Sequence, residues 1–273
     1  DMVAAEFPGV TVLRNDRNAG FVAGTNQGLK WALGDGCGNA ERPSPDYFLL
    51  LNADIIIRDG AIDRLADFLD KRPDVAGAAP GLFLPNGRPQ TGPGGFAPTA
   101  LSAFSYFSFA FKLCPGTARP LFVENRSLSS SCRAPEARLV DWLSGACLMV
   151  RAGVVREIGF MDESYFLYAD DIDWGLRMTR AGKPLYFLPG IGVVHYHGVT
   201  AKTILHGINT RWLERLFQFV RRDRGAAEAF LFRMIAAGGF TLRAAIYSVG
   251  AVRPSFFPRL APKAREMAAF ALF

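Results

Sequence analysis

The sequence predicts an α/β domain, a mostly parallel sheet flanked by helices, with a helical extension at its C-terminus. Three observations predict it. Short apolar or β-branched runs at 10–13, 47–51, 75–79, 184–188 and 192–194 alternate with segments of helical period at 20–33, 59–70 and from 170 onward. The 273 residues are 50% apolar and 21% charged, enough to bury a full core. The net charge of +6 is carried by the end of the chain: residues 202–273 hold 12 Lys and Arg against 4 Asp and Glu, whereas residues 1–201 hold 19 against 21. A domain over 1–202 and a basic amphipathic helical region over 203–273 follow.

Val10-Thr-Val-Leu13 reads as a strand feeding a loop. The glycines at 20, 24 and 28, with Leu29, Trp31 and Leu33 continuing the apolar pattern, suit a glycine-rich turn that opens a helix. Their spacing is neither GxGxxG nor that of a P-loop, and close helix packing and ligand contact are both open. The continuous apolar run Tyr47–Leu51 is expected of a strand covered on both faces of a parallel sheet. It ends at Asn52-Ala-Asp54, where an acid serves as a turn or N-cap, or holds a hard cation against a phosphate. Ile62, Leu65, Ala66 and Leu69 lie on one helical face, and Val75–Ala79 returns as a strand.

Asn86-Gly87 is a hairpin signal. From 92 to 138 the pattern loosens around an aromatic island, Phe104–Phe111, that fits a lid, a lipid-facing surface or a buried helix. Val140–Val150 has strand composition with the small residues Ser144-Gly-Ala146 in its middle, where a ligand could approach the backbone. Three carboxylates, Asp170, Asp171 and Asp173, then stand beside Tyr165, Phe166 and Tyr168 at a helix start. Mutual repulsion and an apolar wall disfavour that arrangement, which persists for chemistry, metal binding or capping. Gly192–Val194 delivers His195 and His197 to one face of a strand, as a metal-ligand pair or as structural residues. Residues 209–222 form an amphipathic helix, and 229–252 is apolar but interrupted by Arg233 and Arg243, so the basic tail lies on an anionic membrane face or caps the domain with solvated arginines.

Cys37, Cys114, Cys132 and Cys147 form no CxxC pair, which argues against a zinc knuckle or a disulfide framework and for reduced thiols. No signal peptide is legible at the start, no charge-free apolar run reaches about 18–20 residues, and no nucleic-acid-binding module accompanies the basic charge. Asn125-Arg-Ser127 matches a glycosylation sequon without a secretion signal to support it. A cytoplasmic protein, peripheral at the inner face of the membrane, is expected.

Four blocks in order resemble the family-2 inverting glycosyltransferases of GT-A fold, in their rhamnosyltransferase-like branch. They are Asn18-x-Gly-Phe-x-x-Gly-x-Asn-x-Gly28; Leu50-Leu-Asn-x-Asp54; Trp142-Leu-Ser-Gly-Ala146 with Met161-Asp-Glu-x-Tyr-Phe-x-Tyr-Ala-Asp-Asp-Ile-Asp173; and Pro189 leading to His195-x-x-Gly-x-Thr200. The resemblance implies a Rossmann-like GT-A sheet and a sugar, rhamnose being the one the branch suggests, moved from a nucleotide-diphosphate donor to a glycan or lipid-linked acceptor of cell-surface polysaccharide. It implies Asp171 as the catalytic base and a divalent cation, Mg²⁺ or Mn²⁺, at Asp54 and His195, with His197 the weaker choice. It also implies donor and acceptor contacts from Asn18, Gly20, Asn26, Asn52, Trp142, Ser144, Gly145 and Asp170. Asp170 and Asp173 have ordinary helical reasons to be present, through the helix dipole and an i,i+4 pair with Arg177, which leaves Asp171 with the fewest.

Two departures accompany the match. Asp170-Asp171 stands where the family usually has Glu-Asp, so the first side chain is one methylene shorter. The chain also opens just after the strand, helix and strand that carry the family's nucleotide-base site, which leads to the expectation of a fragment of a longer enzyme. The alternative is a non-catalytic remnant that binds membrane or glycan.

Overall fold

The computed structural model describes residues 2–34, 44–58, 60–110, 119–124, 136–196, 210–251 and 260–272. A short helix, α1 (Met2–Glu6), leads into irregular backbone where Val10, Val12 and Leu13 stand exposed. The strand expected at 10–13 does not form, because β propensity is worth little without a ladder and a face to bury. Helix α2 (Gly20–Leu33) does form; Val22, Asn26 and Leu29 face inward and Gly34, at φ 84°, closes it with N–H bonds to Lys30 and Trp31.

The strands β1 (Tyr47–Leu51), β3 (Gly77–Phe83), β7 (Cys147–Arg151) and β8 (Leu185–His195), with the short β2 (Ile55–Ile56), form one sheet in the order β1-β7-β3-β8-β2. A further strand, β5 (Arg138–Val140), also pairs with β8. Among the described strands only β3 and β8 run parallel; the β1–β7, β3–β7, β2–β8 and β5–β8 pairs are antiparallel. The sheet is therefore mixed, and the expectation of a mostly parallel one is corrected. β1 is an edge strand: Phe48 and Leu50 are buried while Leu51 is exposed, so its apolar run does not mark cover on both faces.

The segments 184–188 and 192–194 join as one strand. Pro80 faces Leu188 and the next residue, Gly81, faces Gly192, so the strand accommodates Pro189, which has no N–H to give a ladder, in a bulge. The run 140–150 divides instead. The short β6 (Trp142–Leu143) leaves the main sheet to pair with β4 (Gly94–Gly95), and Ser144–Ala146 turns the chain into β7.

Helix α3 (Ala61–Asp70) covers a second apolar cluster with Leu65, Leu69, Val75, Leu82 and Val193. On the main cluster lie α5 (Ala152–Ile158), α6 (Asp170–Arg180) and the C-terminal helices α7 (Arg211–Arg224), α8 (Ala226–Ala251) and α9 (Leu260–Ala271). The first part of the aromatic island, Phe104–Phe107, lies in a helix, α4 (Ala100–Phe107), capped reciprocally by Thr99 and Ser102. Its Phe107 ring packs at 4.8 Å on Phe240, which meets Phe270 at 5.2 Å. Of the sequence alternatives, packing against the C-terminal helices prevails, although Leu101 and Phe104 face outward. Leu213, Phe219, Phe232 and Phe240 share one cluster with Val22, Trp174 and Phe187. The boundary expected after 202 falls outside the described residues, and the core is not divided on either side of it. By length and composition α8 is apolar enough to cross a membrane, although no charge-free run of that length was legible.

Candidate active site

Backbone strain marks the entry to α6. Tyr168 and Ala169 adopt φ of 69° and 65°, left-handed values that cost a non-glycine residue about 1–3 kcal/mol. The bend sends Asp170 inward, where its carboxylate accepts N–H bonds from its own backbone and from Tyr168, and leaves Asp171 partly exposed. The Asp171 carboxylate accepts from Ile172 N at 2.9 Å, from its own N–H and from Gly145 N–H. Burial, and after it the charge of Asp170, hold Asp171 well above the ordinary carboxylate range. Burial, with a smaller contribution from Asp173, holds Asp170 above it as well. Two adjacent carboxylates in such surroundings retain a proton at pH values where an isolated aspartate has lost it. Asp173 pairs with Arg177 at 3.0 Å, as its i,i+4 spacing requires, and with Arg222 at 2.8 Å.

The second half of the site is the turn between β1 and β2. Asn52 N–H bonds Ala146 O at 2.9 Å, Asn52 O accepts from Ile55 N, and Asp54 O accepts from Tyr196 N. Asp54 Oδ1 lies 3.2 Å from His195 Nε2, and His195 Nδ1 lies 2.9 Å from Gln90 Oε1. The Ser144–Ala146 turn joins the halves, since Gly145 touches Asp171 and the next residue, Ala146, holds Asn52. Ser144 Oγ accepts from Ala146 N at 3.3 Å and stabilises that turn.

The other expected contacts are placed differently. Asn18 is exposed and its Oδ1 accepts from Gly20 N at 3.0 Å, closing the turn into α2. Gly20, at φ 88°, lies so near Phe166 that a Cβ would come within 2.7 Å of the ring. Asn26 is buried and its amide exchanges hydrogen bonds with Met161 N and O while Nδ2 also reaches Glu163, so it braces α2 against the loop before α6. Trp142 is buried, with Nε1 bonded to Phe96 O and Gly175 of α6 packed on its backbone. His197 lies outside the described residues. Sequence reasoning missed Gln90, whose only signal was the hairpin that carries it, and Arg222, whose helix was expected to face an anionic membrane or to carry solvated arginines.

A divalent cation can be tested against the Asp54 and His195 pair. Among the described residues no three His, Cys, Asp or Glu stand together as a metal cage. The donor set fits a cation that takes one or two protein ligands and completes its shell from a diphosphate and water. With Gln90 Oε1 as acceptor, His195 Nδ1 donates its proton there, and Nε2, 3.2 Å from Asp54 Oδ1, is the nitrogen that would give up its own proton to bind a cation shared with Asp54.

Fold and site together define an α/β domain with a carboxylate base candidate on a helix start and an Asp–His pair at strand ends. The sequence model of glycosyltransferase-like family 2 matches residues 1–214, and the chain belongs to that family. It is 28% identical over 191 residues to the N-acetylglucosaminyl-diphospho-decaprenol L-rhamnosyltransferase of Mycobacterium tuberculosis, an alignment covering 70% of this chain and 60% of that protein. It is 33% identical over 87 residues to rhamnosyltransferase WbbL of Escherichia coli K12, covering 32% of this chain and 33% of the relative. The chain thus spans about 60% of the length of the mycobacterial relative. A solved structure of GalNAc-T7 with UDP, GalNAc and Mn²⁺ aligns over 80% of this chain and 38% of its own, at 16% identity and a TM-score of 0.49.

Proposed function

We propose that this chain carries the catalytic machinery of an inverting glycosyltransferase that moves a sugar from a nucleotide-diphosphate donor to a glycan or lipid-linked acceptor. The observation that carries the reading is the partly exposed Asp171 carboxylate, held by Gly145 N–H one residue from the turn that binds Asn52. In the proposed reaction the acceptor oxygen attacks the anomeric carbon from the face opposite the diphosphate. As the new C–O bond forms, the hydroxyl proton passes to Asp171, the old C–O bond breaks and the nucleoside diphosphate leaves with the electron pair. Asp171 acts in its ionised form, and burial, and after it the charge of Asp170, make that form a stronger base than an ordinary carboxylate. Asp54 and His195 Nε2 would hold a divalent cation, which supplies neutralisation of the charge on the leaving diphosphate. Rhamnose is the proposed sugar, because the mycobacterial and Escherichia coli relatives are both named rhamnosyltransferases. The exposed apolar side of α8 supports a peripheral position on an anionic membrane, with a lipid-linked acceptor held in its surface.

The test is release of nucleoside diphosphate from dTDP-rhamnose in the presence of Mn²⁺ and a lipid-linked N-acetylglucosamine acceptor. Asp171→Asn should lower turnover about 10²- to 10⁴-fold, the usual contribution of a positioned general base, with little change in donor affinity. Turnover that survives Asp171→Asn overturns the base assignment.

A further inference from the structure

We infer that Arg222, on a helix beyond the segment that carries the catalytic motifs, is a positioning residue that holds the first turn of α6 and thereby the Asp170-Asp171 pair. The inference rests on the transferase reading and adds a part of the machinery to it. Arg222 Nη2 lies 2.8 Å from Asp173 Oδ1, in the first turn of α6, and Nη1 lies 2.9 Å from Asp162 Oδ2, in the loop that leads to it. The guanidinium also stacks 4.8 Å from the centre of the Tyr165 ring, three residues before the strained Tyr168-Ala169 bend. One planar cation therefore grips both sides of the bend at once. Arginine suits this task because its fork makes two directed bonds while its face rests on an aromatic ring.

A second tie runs beside the first. Arg180, the last residue of α6, forms a two-pronged pair with Asp223 at 2.7 Å for each bond, so consecutive residues of α7 fasten the two ends of α6. The side chains of α7 that face the core, Leu213, Leu216, Phe219 and Val220, are buried, which makes α7 a fixed anchor. The bend needs such an anchor, since two left-handed residues persist only where the surroundings over-determine them. A surface ion pair alone contributes little. Here Asp173 is mostly buried and shared between Arg177 and Arg222, so loss of Arg222 leaves a carboxylate two residues from the base less compensated. Asp170 faces the charge of Asp173 and the N–H of Tyr168, Asp171 faces Asp170 and the N–H groups of Ile172 and Gly145, and Tyr165, between Asp170 and the clamp, faces Asp162, Asp173 and Arg222; Asp173 is paired with Arg177 and Arg222, and Arg222 with Asp162.

The experiment compares wild type, Arg222→Ala and Arg222→Lys in the full chain. The aspartate carboxyl titrations are followed by NMR of ¹³C-labelled protein without substrate, together with amide exchange along α6 and α7 and kcat and KM for the donor. Arg222→Ala should shift the titration of the pair to higher pH, because the Asp173 charge now opposes ionisation with less compensation. It should also speed exchange at 169–174 while leaving 213–220 protected, and lower kcat about 10- to 100-fold with KM for the donor nearly unchanged. Arg222→Lys, which keeps the charge and loses the fork, should restore most of the titration and little of the kcat. An unmoved titration with unmoved exchange at 169–174 overturns the inference, as does a kcat loss that appears only with general unfolding of α7. Wild type without transfer activity overturns the transferase reading instead, and the titration and exchange readouts separate that outcome from failure of the clamp.

Discussion

Asp171 and His195 illustrate how a side chain's chemistry is set by what touches it. The raised ionisation range of the Asp170-Asp171 pair is a stability cost as well as a property suited to the proposed base. The folded state holds a proton that the unfolded chain gives up near pH 4, so stability falls as pH rises from there through the folded-state titration, by about 1.4 kcal/mol for each unit of elevation. Asp171→Asn should therefore be more stable than wild type at pH 8, with a higher melting temperature, and the two should converge below about pH 4. A melting-temperature difference that is the same at both ends of that range would show that the pair is not strained by its charge. The corresponding experiment on the second half of the site concerns Gln90, whose Oε1 accepts the His195 Nδ1 proton. Gln90→Leu removes the group that fixes the tautomer and should weaken Mn²⁺ binding in the presence of dTDP about 10- to 100-fold, read by titration calorimetry. Unchanged Mn²⁺ affinity would remove His195 from the ligand set. The role of Gln90 was not legible in the sequence, because a long-range side-chain contact leaves no local pattern. Asp171 and Asp54 were legible because short motifs place them at a helix start and a strand end.

At the scale of elements, α2 separates two uses of glycine that the sequence spacing left open. A Cβ at Gly20 would collide with Phe166, whereas Gly24 and Gly28 have nothing within 4 Å of the position a Cβ would take. Close helix packing therefore explains the first glycine and not the other two. Gly24→Ala and Gly28→Ala should each stabilise the fold by about 0.5–1 kcal/mol, the ordinary gain of alanine over glycine inside a helix. Gly20→Ala should destabilise it and disturb the Phe21 N to Phe166 O bond that ties α2 to the loop before α6. If Gly24→Ala or Gly28→Ala weakens donor binding while raising the melting temperature, the open face of α2 is where the donor lies; if neither binding nor turnover changes, that reading fails. The helices were the most legible elements, as their apolar period is long and repeated. The sheet was less so. An apolar run such as Tyr47–Leu51 reads alike at a covered centre and at an edge, and strand direction depends on partners that the local sequence does not name. The division of 138–151 among three strands was hidden for the same reason.

Over the whole molecule, the C-terminal helices have two different settings that composition alone had merged into one basic tail. α7 is turned inward, with Arg222 and Asp223 bound to α6, while α8 presents Phe230, Met234, Leu242, Ile246 and Val249 outward, mostly at intervals of one or two turns. Their exposures run from 45% to 76%, too large for residues left over at the margin of a core. The chain from 202 onward carries 12 basic residues against 4 acidic ones, and an exposed apolar helix face in a region of that charge is of the kind that sinks into the headgroup region of an anionic bilayer. The protein should therefore sediment with phosphatidylglycerol vesicles, much less with phosphatidylcholine vesicles, and release from them as salt rises. Phe230→Asp combined with Ile246→Asp should weaken vesicle binding at least tenfold, since each apolar side chain contributes about 1.5–3 kcal/mol when removed from water. The melting temperature and turnover on a water-soluble acceptor should stay as in wild type, because neither side chain is buried or touches the site. If those substitutions leave vesicle binding intact and instead split a dimer seen by light scattering, the stripe covers a second copy of the chain and not a lipid surface.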